Sequence, residues 1–306
     1  MSDKPASDSQ FPQRPALGEY ELHTAREGFA SILHRPSGQI MHSRTPPMEE
    51  ALRIYVEQAD VAMHLRLPQG EGALVLWDVG LGGAANAIAA IRCYEEQAAN
   101  GPVRPLRIVS FENDLDSLRL AFAHRERFPY LFHNGPDAIL REGRWQSREH
   151  AGLSWELVEG DFLETMRQAP GPPEVIFYDM FSGGKSGSVW GHEAFRRIFA
   201  ACEGRSAELC TYTLSTASRV AMLAAGFFVA KGRPAGGKQE TTIALTPEAA
   251  GTGWGRRHEL LGAEWLGKWH RSRAKFPVGM PNEEQQAFEQ MMLSHAQFRH
   301  LQIAAW

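Results

Sequence analysis

Cysteine is scarce in this chain: three residues in 306, Cys93, Cys202 and Cys210, with no Cys-x-x-Cys pair. That set excludes a disulfide framework and a zinc knuckle, and it fits buried thiols in a reducing compartment. Long apolar runs are missing as well. No stretch approaches the ~18 residues that span a bilayer, and the opening MSDKPASDSQFPQRP lacks the apolar segment of a signal peptide. A soluble, cytoplasmic protein with no membrane partner is expected. Neither sign of charge dominates, with 32 Lys+Arg against 36 Asp+Glu and a net charge of −4, so no global basic field announces nucleic acid. The 12 histidines show no ligand spacing, and no metal is expected. What is present suits a globular chain: 43% hydrophobic and 22% charged residues, at a length that buries a large core without staples.

The chain divides into four stretches. Residues 1–17 are polar and proline-rich and read as a disordered tail. Residues 18–68 carry short mixed runs between glycines, a small β-meander, and then a helix over 45–65 that opens with Pro46 and Pro47. Residues 69–248 alternate apolar runs with amphipathic ones. Strands are predicted at 73–80, 106–112, 153–161, 174–181 and 207–214, with helices at 83–100, 115–128, 192–203 and 217–226 between them. Such alternation makes right-handed βαβ units and a mostly parallel sheet. Strands at 227–232 and 239–246 have only a turn between them, so they pair as an antiparallel hairpin. Residues 130–152 break the pattern and read as an insertion loop, and residues 249–306 as a helical extension.

Chemistry-bearing residues fall at the ends of these strands. Gly80-Leu-Gly82-Gly83 lies between the first strand and its helix, where glycines let a ligand approach the backbone and the helix N-terminus. Gly80-x-Gly82-x-x-Ala85 also satisfies the dinucleotide fingerprint. Glu112 ends the second strand, where a carboxylate can accept both hydroxyls of a ribose in NAD and adenosylmethionine enzymes alike. Asp161 follows the third strand, placed either to accept from an adenine amino group, with Phe162 against the ring, or to cap the next helix. Asp179 ends the fourth strand and points into the same crevice. A carboxylate there favours a sulfonium methyl donor and can orient an amine that must lose a proton before it attacks. The stretch 256–275 sets Arg271, Arg273 and Lys275 among Trp265 and Trp269: a local basic, aromatic surface suited to phosphates and bases, or an amphipathic helix whose tryptophans pack inward.

Over residues 40–245 the chain resembles the methyltransferase domain of the bifunctional tRNA wobble-uridine enzyme MnmC and its stand-alone relatives. Met48-Glu49-Glu50 is similar to the family's Leu-Glu-Glu, and Gly80-Leu-Gly82-Gly83-Ala84-Ala85-Asn86 to its Gly-Phe-Gly-Thr-Gly-Leu-Asn. Ile108–Glu112 and Leu120–His124 follow its second strand and helix. Asp179-Met-Phe181 with Lys185 and Trp190 looks like Asp-Gly-Phe-Ala-Pro-x-Lys-Asn-Pro-x-x-Trp, and Thr211-Tyr-Thr213, Arg219 and Gly236-Gly237-Lys238-Gln-Glu240 continue the match. The resemblance implies an α/β, Rossmann-like class I methyltransferase with a seven-stranded sheet in the order 3-2-1-4-5-7-6 and an antiparallel last strand. It implies S-adenosyl-L-methionine on Gly80, Gly82, Asn86, Glu112 and Asp161, a catalytic Asp179, and substrate contacts at Phe181, Lys185 and Trp190. The implied reaction is methylation of the exocyclic amine of 5-aminomethyl-(2-thio)uridine in tRNA, with no FAD because the oxidase half is not matched. Two departures stand out: Ala84 replaces a glycine, and Ser182-Gly183-Gly184 replaces the family's prolines. Methylation of a small-molecule amine, an NAD(P)-dependent oxidoreductase and an RNA-binding module without cofactor are the competing readings.

Overall fold

Two β-sheets and the helices packed on them arise from two kinds of sequence pattern. The computed structural model describes residues 14–66, 72–181, 189–234, 239–277 and 280–299. Short strands separated by turn residues come first: β1 (Ala16–Leu17), β2 (Tyr20–Thr24), β3 (Ala30–His34) and β4 (Gln39–Ile40) form an antiparallel sheet in that order. Its inner face presents Tyr20, Leu22, Ala30 and Ile32, which join the main core. Helices α1 (Pro47–Ala51) and α2 (Val61–Arg66) lead to β5 (Leu74–Val79).

The βα alternation then runs α3 (Ala85–Ala99), β6 (Leu106–Glu112), α4 (Asp116–Ala123), α5 (Asn134–Glu142), β7 (Arg144–Gln146), β8 (Leu153–Glu159), α6 (Phe162–Thr165), β9 (Val175–Tyr178), α7 (His192–Ala201), β10 (Glu208–Thr211), α8 (Thr216–Ala224), β11 (Phe228–Gly232) and β12 (Thr241–Leu245). Helices α9 (Pro247–Gly251), α10 (Ala263–His270) and α11 (Asn282–Leu293) complete the chain. The large sheet has the order β11-β12-β10-β9-β5-β6-β8-β7. Strands β8, β6, β5, β9 and β10 are parallel neighbours, whereas β12 runs antiparallel between β10 and β11. This is the class I methyltransferase order with one additional strand, β7, at the edge.

Both faces of the sheet are buried, as near-continuous apolar strands require. One face carries α3, whose Ala85, Ala87, Ala89 and Ala90 let the helix lie close to the strands. The other packs Phe195, Ile198, Val220 and Met222 together with Trp265, Trp269, Phe288 and Met292 of the C-terminal helices. The exposed side of β11 is covered: Leu261 N–H donates to the Val229 carbonyl, and the buried Gln297 amide bonds both Val229 backbone groups and the Leu261 carbonyl. All three cysteines are buried and free.

Four expectations need correction. Ala16–Leu17 pair with Tyr20–Glu21 and so belong to the small sheet, not to a tail. The helix expected over 45–65 breaks: α1 passes into a π-helical turn, Leu52–Val56, and Asp60 takes a left-handed φ of +48° before α2. The break lets buried Gln58 reach Thr241 Oγ1 and the Arg233 N–H, a tertiary contact that outweighs helix continuity. Residues 130–152 are not a loop, because α5 and β7 lie there; β7 buries only Trp145, too little alternation to read as a strand. Trp265 and Trp269 are buried and Lys275 pairs with Glu289, so the patch over 256–275 lacks its stacking tryptophans, while Arg271 and Arg273 stay exposed. Among the described residues, no helix is long and apolar enough to cross a membrane, and no group of His, Cys, Asp and Glu is arranged to hold a metal ion.

Candidate active site

The site grows from the turn between β5 and α3. Gly80 has φ +89°, and a Cβ there would lie 2.7 Å from the Asp179 carbonyl oxygen, so only glycine lets β5 and β9 end this close together. Gly82 has φ +51°, and Ala84, in place of the family's glycine, keeps a left-handed φ of +64°. Ala84 starts α3 without a side-chain cap, so the first amides of that helix have no side-chain acceptor. A cavity of about 410 Å³ opens above this turn. Gly80, Gly82, Asn86, Glu112, Asp179 and Phe181 all line it. Parallel strands ending on one edge of the sheet bring these distant residues together.

The carboxylates are held differently. Glu112 accepts the N–H groups of Gly82 at 3.1 Å, Asn113 at 2.9 Å and Asp114 at 3.1 Å. About four acceptor positions exist on a carboxylate, so about one, on Oε2, is left for a ligand hydroxyl rather than the expected pair. Burial pushes the Glu112 carboxyl up despite those three amides. Asp179 accepts from the Asn86 amide at 2.9 Å through Oδ2. Its burial raises the carboxyl, while His42, the Asn86 amide and the Tyr55 hydroxyl oppose the shift. Beneath the turn, Trp155 Nε1 donates to Ser110 Oγ at 2.8 Å, and Ser110 donates to Asp78 Oδ2 at 2.7 Å. Asp78 is fully buried, its Oδ1 has no partner, and burial pushes its carboxyl from 3.8 up to about 7.

One wall of the cavity was not read from the sequence. Tyr20, Ile40, Met41 and His42 from the small sheet and its exit, with Glu50 of α1, close the side facing Asp179. The Met41 sulfur would sit 3.4 Å from a Cβ on Gly82, so this wall rests on the glycine turn. The His34 ring stacks on Phe181 with centroids 5.4 Å apart. Tyr55, from the π-helical turn, is buried, tilts against Phe177 and has its hydroxyl pushed well up by burial and by Asp179. The resemblance at Met48–Glu50 was a signal for Glu50, whereas nothing local marks His42 or Tyr55.

The remaining sequence candidates stand apart. Asp161 caps α6, accepting from Leu163 N–H at 2.9 Å and Glu164 N–H at 3.3 Å, and it is not among the cavity residues. Phe162 is buried against Trp77 and Phe111. Trp190 lies behind the cavity: its Nε1–H donates to the Phe181 carbonyl at 3.0 Å, and its ring meets Tyr178 and Tyr212 edge-on. Tyr212 donates to the Met180 carbonyl at 2.9 Å. These two hydrogen bonds brace the backbone that carries Asp179. Lys185 lies outside the described residues.

The residues present fit S-adenosyl-L-methionine. The glycine turn is a cradle that side chains would fill, and Glu112 offers an acceptor at one end. Asn86 Oδ1 is buried without a hydrogen-bond partner at the other, an acceptor that suits an ammonium or amine donor.

Comparison with known proteins points to the same cofactor. Residues 131–247 match the family described as S-adenosyl-L-methionine-dependent methyltransferase. The chain is 26% identical over 228 residues to the tRNA 5-methylaminomethyl-2-thiouridine biosynthesis bifunctional protein MnmC of Chromobacterium violaceum, covering 71% of this chain and 33% of that one. It is 25% identical over 221 residues to the MnmC of Ectopseudomonas mendocina, covering 68% of this chain and 32% of that one. The chain therefore spans about a third of the length of the curated relatives it matches. In fold it is similar to MNMC2 from Aquifex aeolicus, with a TM-score of 0.68, 19% identity, and coverage of 92% of this chain and 86% of that one.

Proposed function

The chain is an S-adenosyl-L-methionine-dependent methyltransferase of the class I fold with an MnmC-like methyltransferase domain, and from that premise we propose that it methylates the nitrogen of a primary amine, the 5-aminomethyl group of a tRNA wobble uridine. The observation that carries the reading is the Asp179 carboxylate, fixed by Asn86 at the cavity wall beside the glycine turn. Bound there, S-adenosyl-L-methionine would supply an electrophilic methyl group on a sulfonium, with sulfur as the leaving atom that keeps the C–S electron pair. Gly80, Gly82 and Asn86 would hold it, and Glu112 would take one ribose hydroxyl. Asp179 receives the acceptor as an ammonium ion, the form in which alkylamines of pKa near 10 arrive at neutral pH. Trp190 and Tyr212 keep that carboxylate in place through the carbonyls of Phe181 and Met180. Orientation and exclusion of water then supply most of the acceleration.

A small-molecule amine is the second reading. It is favoured by the burial of Trp265 and Trp269, which takes the stacking aromatics away from the basic stretch 256–275. The test is methyl transfer from labelled adenosylmethionine to tRNA carrying 5-aminomethyl-2-thiouridine, against a panel of small primary amines. Transfer to the tRNA alone supports the wobble reading, transfer to small amines alone replaces it, and transfer to neither refutes both. Asp179→Asn should bind adenosylmethionine within a few-fold of the parent and lose at least ~100-fold in turnover; an active variant would remove Asp179 from the chemistry.

A further inference from the structure

A second titratable pair faces Asp179 across the cavity. His42 leaves β4 with its backbone N–H bonded to Ser31 Oγ at 3.1 Å, which anchors the residue to the buried face of β3. Its Nδ1 lies 3.5 Å from Glu50 Oε2, and the two side chains are only 14% and 19% exposed. That nitrogen is sealed from solvent and has no other partner. His42, Glu50, Asn86 and Asp179 all line the same cavity. A carboxylate behind Nδ1 fixes the tautomer that leaves Nε2 as the acceptor. The 3.5 Å separation is longer than a formed hydrogen bond and is of the kind that shortens when a substrate binds.

We propose that His42, oriented by Glu50, is the base that takes a proton from the acceptor amine while Asp179 holds it, an inference that rests on the amine reading above. The ammonium N–H bond breaks, its electron pair stays on nitrogen as the nucleophile, and the proton becomes the Nε2–H of an imidazolium. Glu50 balances that charge, and the proton then passes to water. Histidine is the side chain most often used as a general base, and its neutral ring nitrogen accepts a proton without first losing one. The other titratable groups lining this cavity are Tyr20 on β2, Glu112 at the end of β6 and Tyr212, whose hydroxyl donates to the Met180 carbonyl, with Tyr55 of the π-helical turn beside Asp179. Tyr20 and Tyr55 are held protonated, so neither competes for the proton.

The test uses the full chain with adenosylmethionine and whichever amine the parent methylates. His42→Asn should keep adenosylmethionine affinity, read by calorimetry, within about threefold. It should lose ~100-fold in single-turnover methyl transfer at pH 7. The deficit should close as the pH rises toward 9.5, because the amine then deprotonates without help. His42→Gly should regain activity with added imidazole, a rescue that a merely structural role would not give, and Glu50→Gln should show a smaller deficit of the same pH form. If His42→Asn proves unstable, the imidazole rescue of His42→Gly and the Glu50→Gln profile decide. Parent-like rates across that pH range, or a loss that is constant with pH and is not rescued, would overturn the assignment. A parent chain that binds adenosylmethionine but methylates no primary amine would refute the amine reading and this inference with it. A parent that turns over while the His42 variants match it would refute this inference alone.

Discussion

Replacing Asp78 by Asn asks whether a buried, under-partnered carboxylate at the root of the glycine turn weakens the fold as the pH rises. Asp78 accepts one hydrogen bond, from Ser110, and its Oδ1 has none. Its carboxyl ionises at about 7 in the folded chain against 3.8 ordinarily. Between those values the folded state keeps a proton that the unfolded chain has released, so stability falls with rising pH. At ~1.4 kcal/mol per pH unit the loss is about 1.5 kcal/mol at pH 5 and about 4 kcal/mol at pH 8. Asp78→Asn removes this slope and adds a roughly constant cost of ~1–2 kcal/mol for an unpaired amide donor. The stability difference, variant minus parent, should therefore climb by about 3 kcal/mol from pH 5 to pH 8. With a urea slope of about 3 kcal/mol per molar, that is a relative midpoint shift of about 1 M. Urea unfolding followed by circular dichroism at four pH values, without cofactor, measures it. A difference that stays flat with pH would show that Asp78 is ionised in the folded chain at pH 5 and would refute the reasoning.

Three further outcomes follow from the same contacts. Gly80→Ala should cost at least ~2 kcal/mol in urea unfolding, because a left-handed φ and a 2.7 Å approach to the Asp179 carbonyl coincide there; a loss under ~0.5 kcal/mol would contradict the geometry. Trp269→Ala should cost ~3–5 kcal/mol, since the side chain is wholly buried, and a near-neutral result would detach the C-terminal helices from the core. Trp190→Phe keeps the ring and removes the bond to the Phe181 carbonyl. It should change stability by no more than ~1.5 kcal/mol and raise the acceptor KM while leaving adenosylmethionine affinity unchanged.

The parallel part of the fold was legible because buried strands between amphipathic helices leave period and punctuation in the sequence. The residues at the strand ends followed, since topology alone brings Gly80, Glu112 and Asp179 to one edge. Their hydrogen bonds did not follow: Glu112 spends most of its acceptor capacity on backbone amides, and Asp161 on capping α6. The cavity wall from the small sheet was hidden because β2 and β3 are ordinary half-buried strands, and their neighbour across the cavity lies more than a hundred residues on. Trp265 and Trp269 misled for a related reason. A helix with basic and aromatic residues looks the same whether its tryptophans face nucleic acid or a core, and only the cluster they join decides.

The glycine turn and the wall opposite it are encoded far apart: one in the βα core, the other in the first 50 residues. Side chains of β2, β4 and α1 reach the cavity but are not part of the sheet that carries the glycine turn. A change in that short opening segment would therefore reshape one wall of the cavity while leaving the glycine turn and the strand ends opposite it in place. A chimaera carrying a relative's opening segment on this core would keep its glycine turn and exchange the wall that faces it.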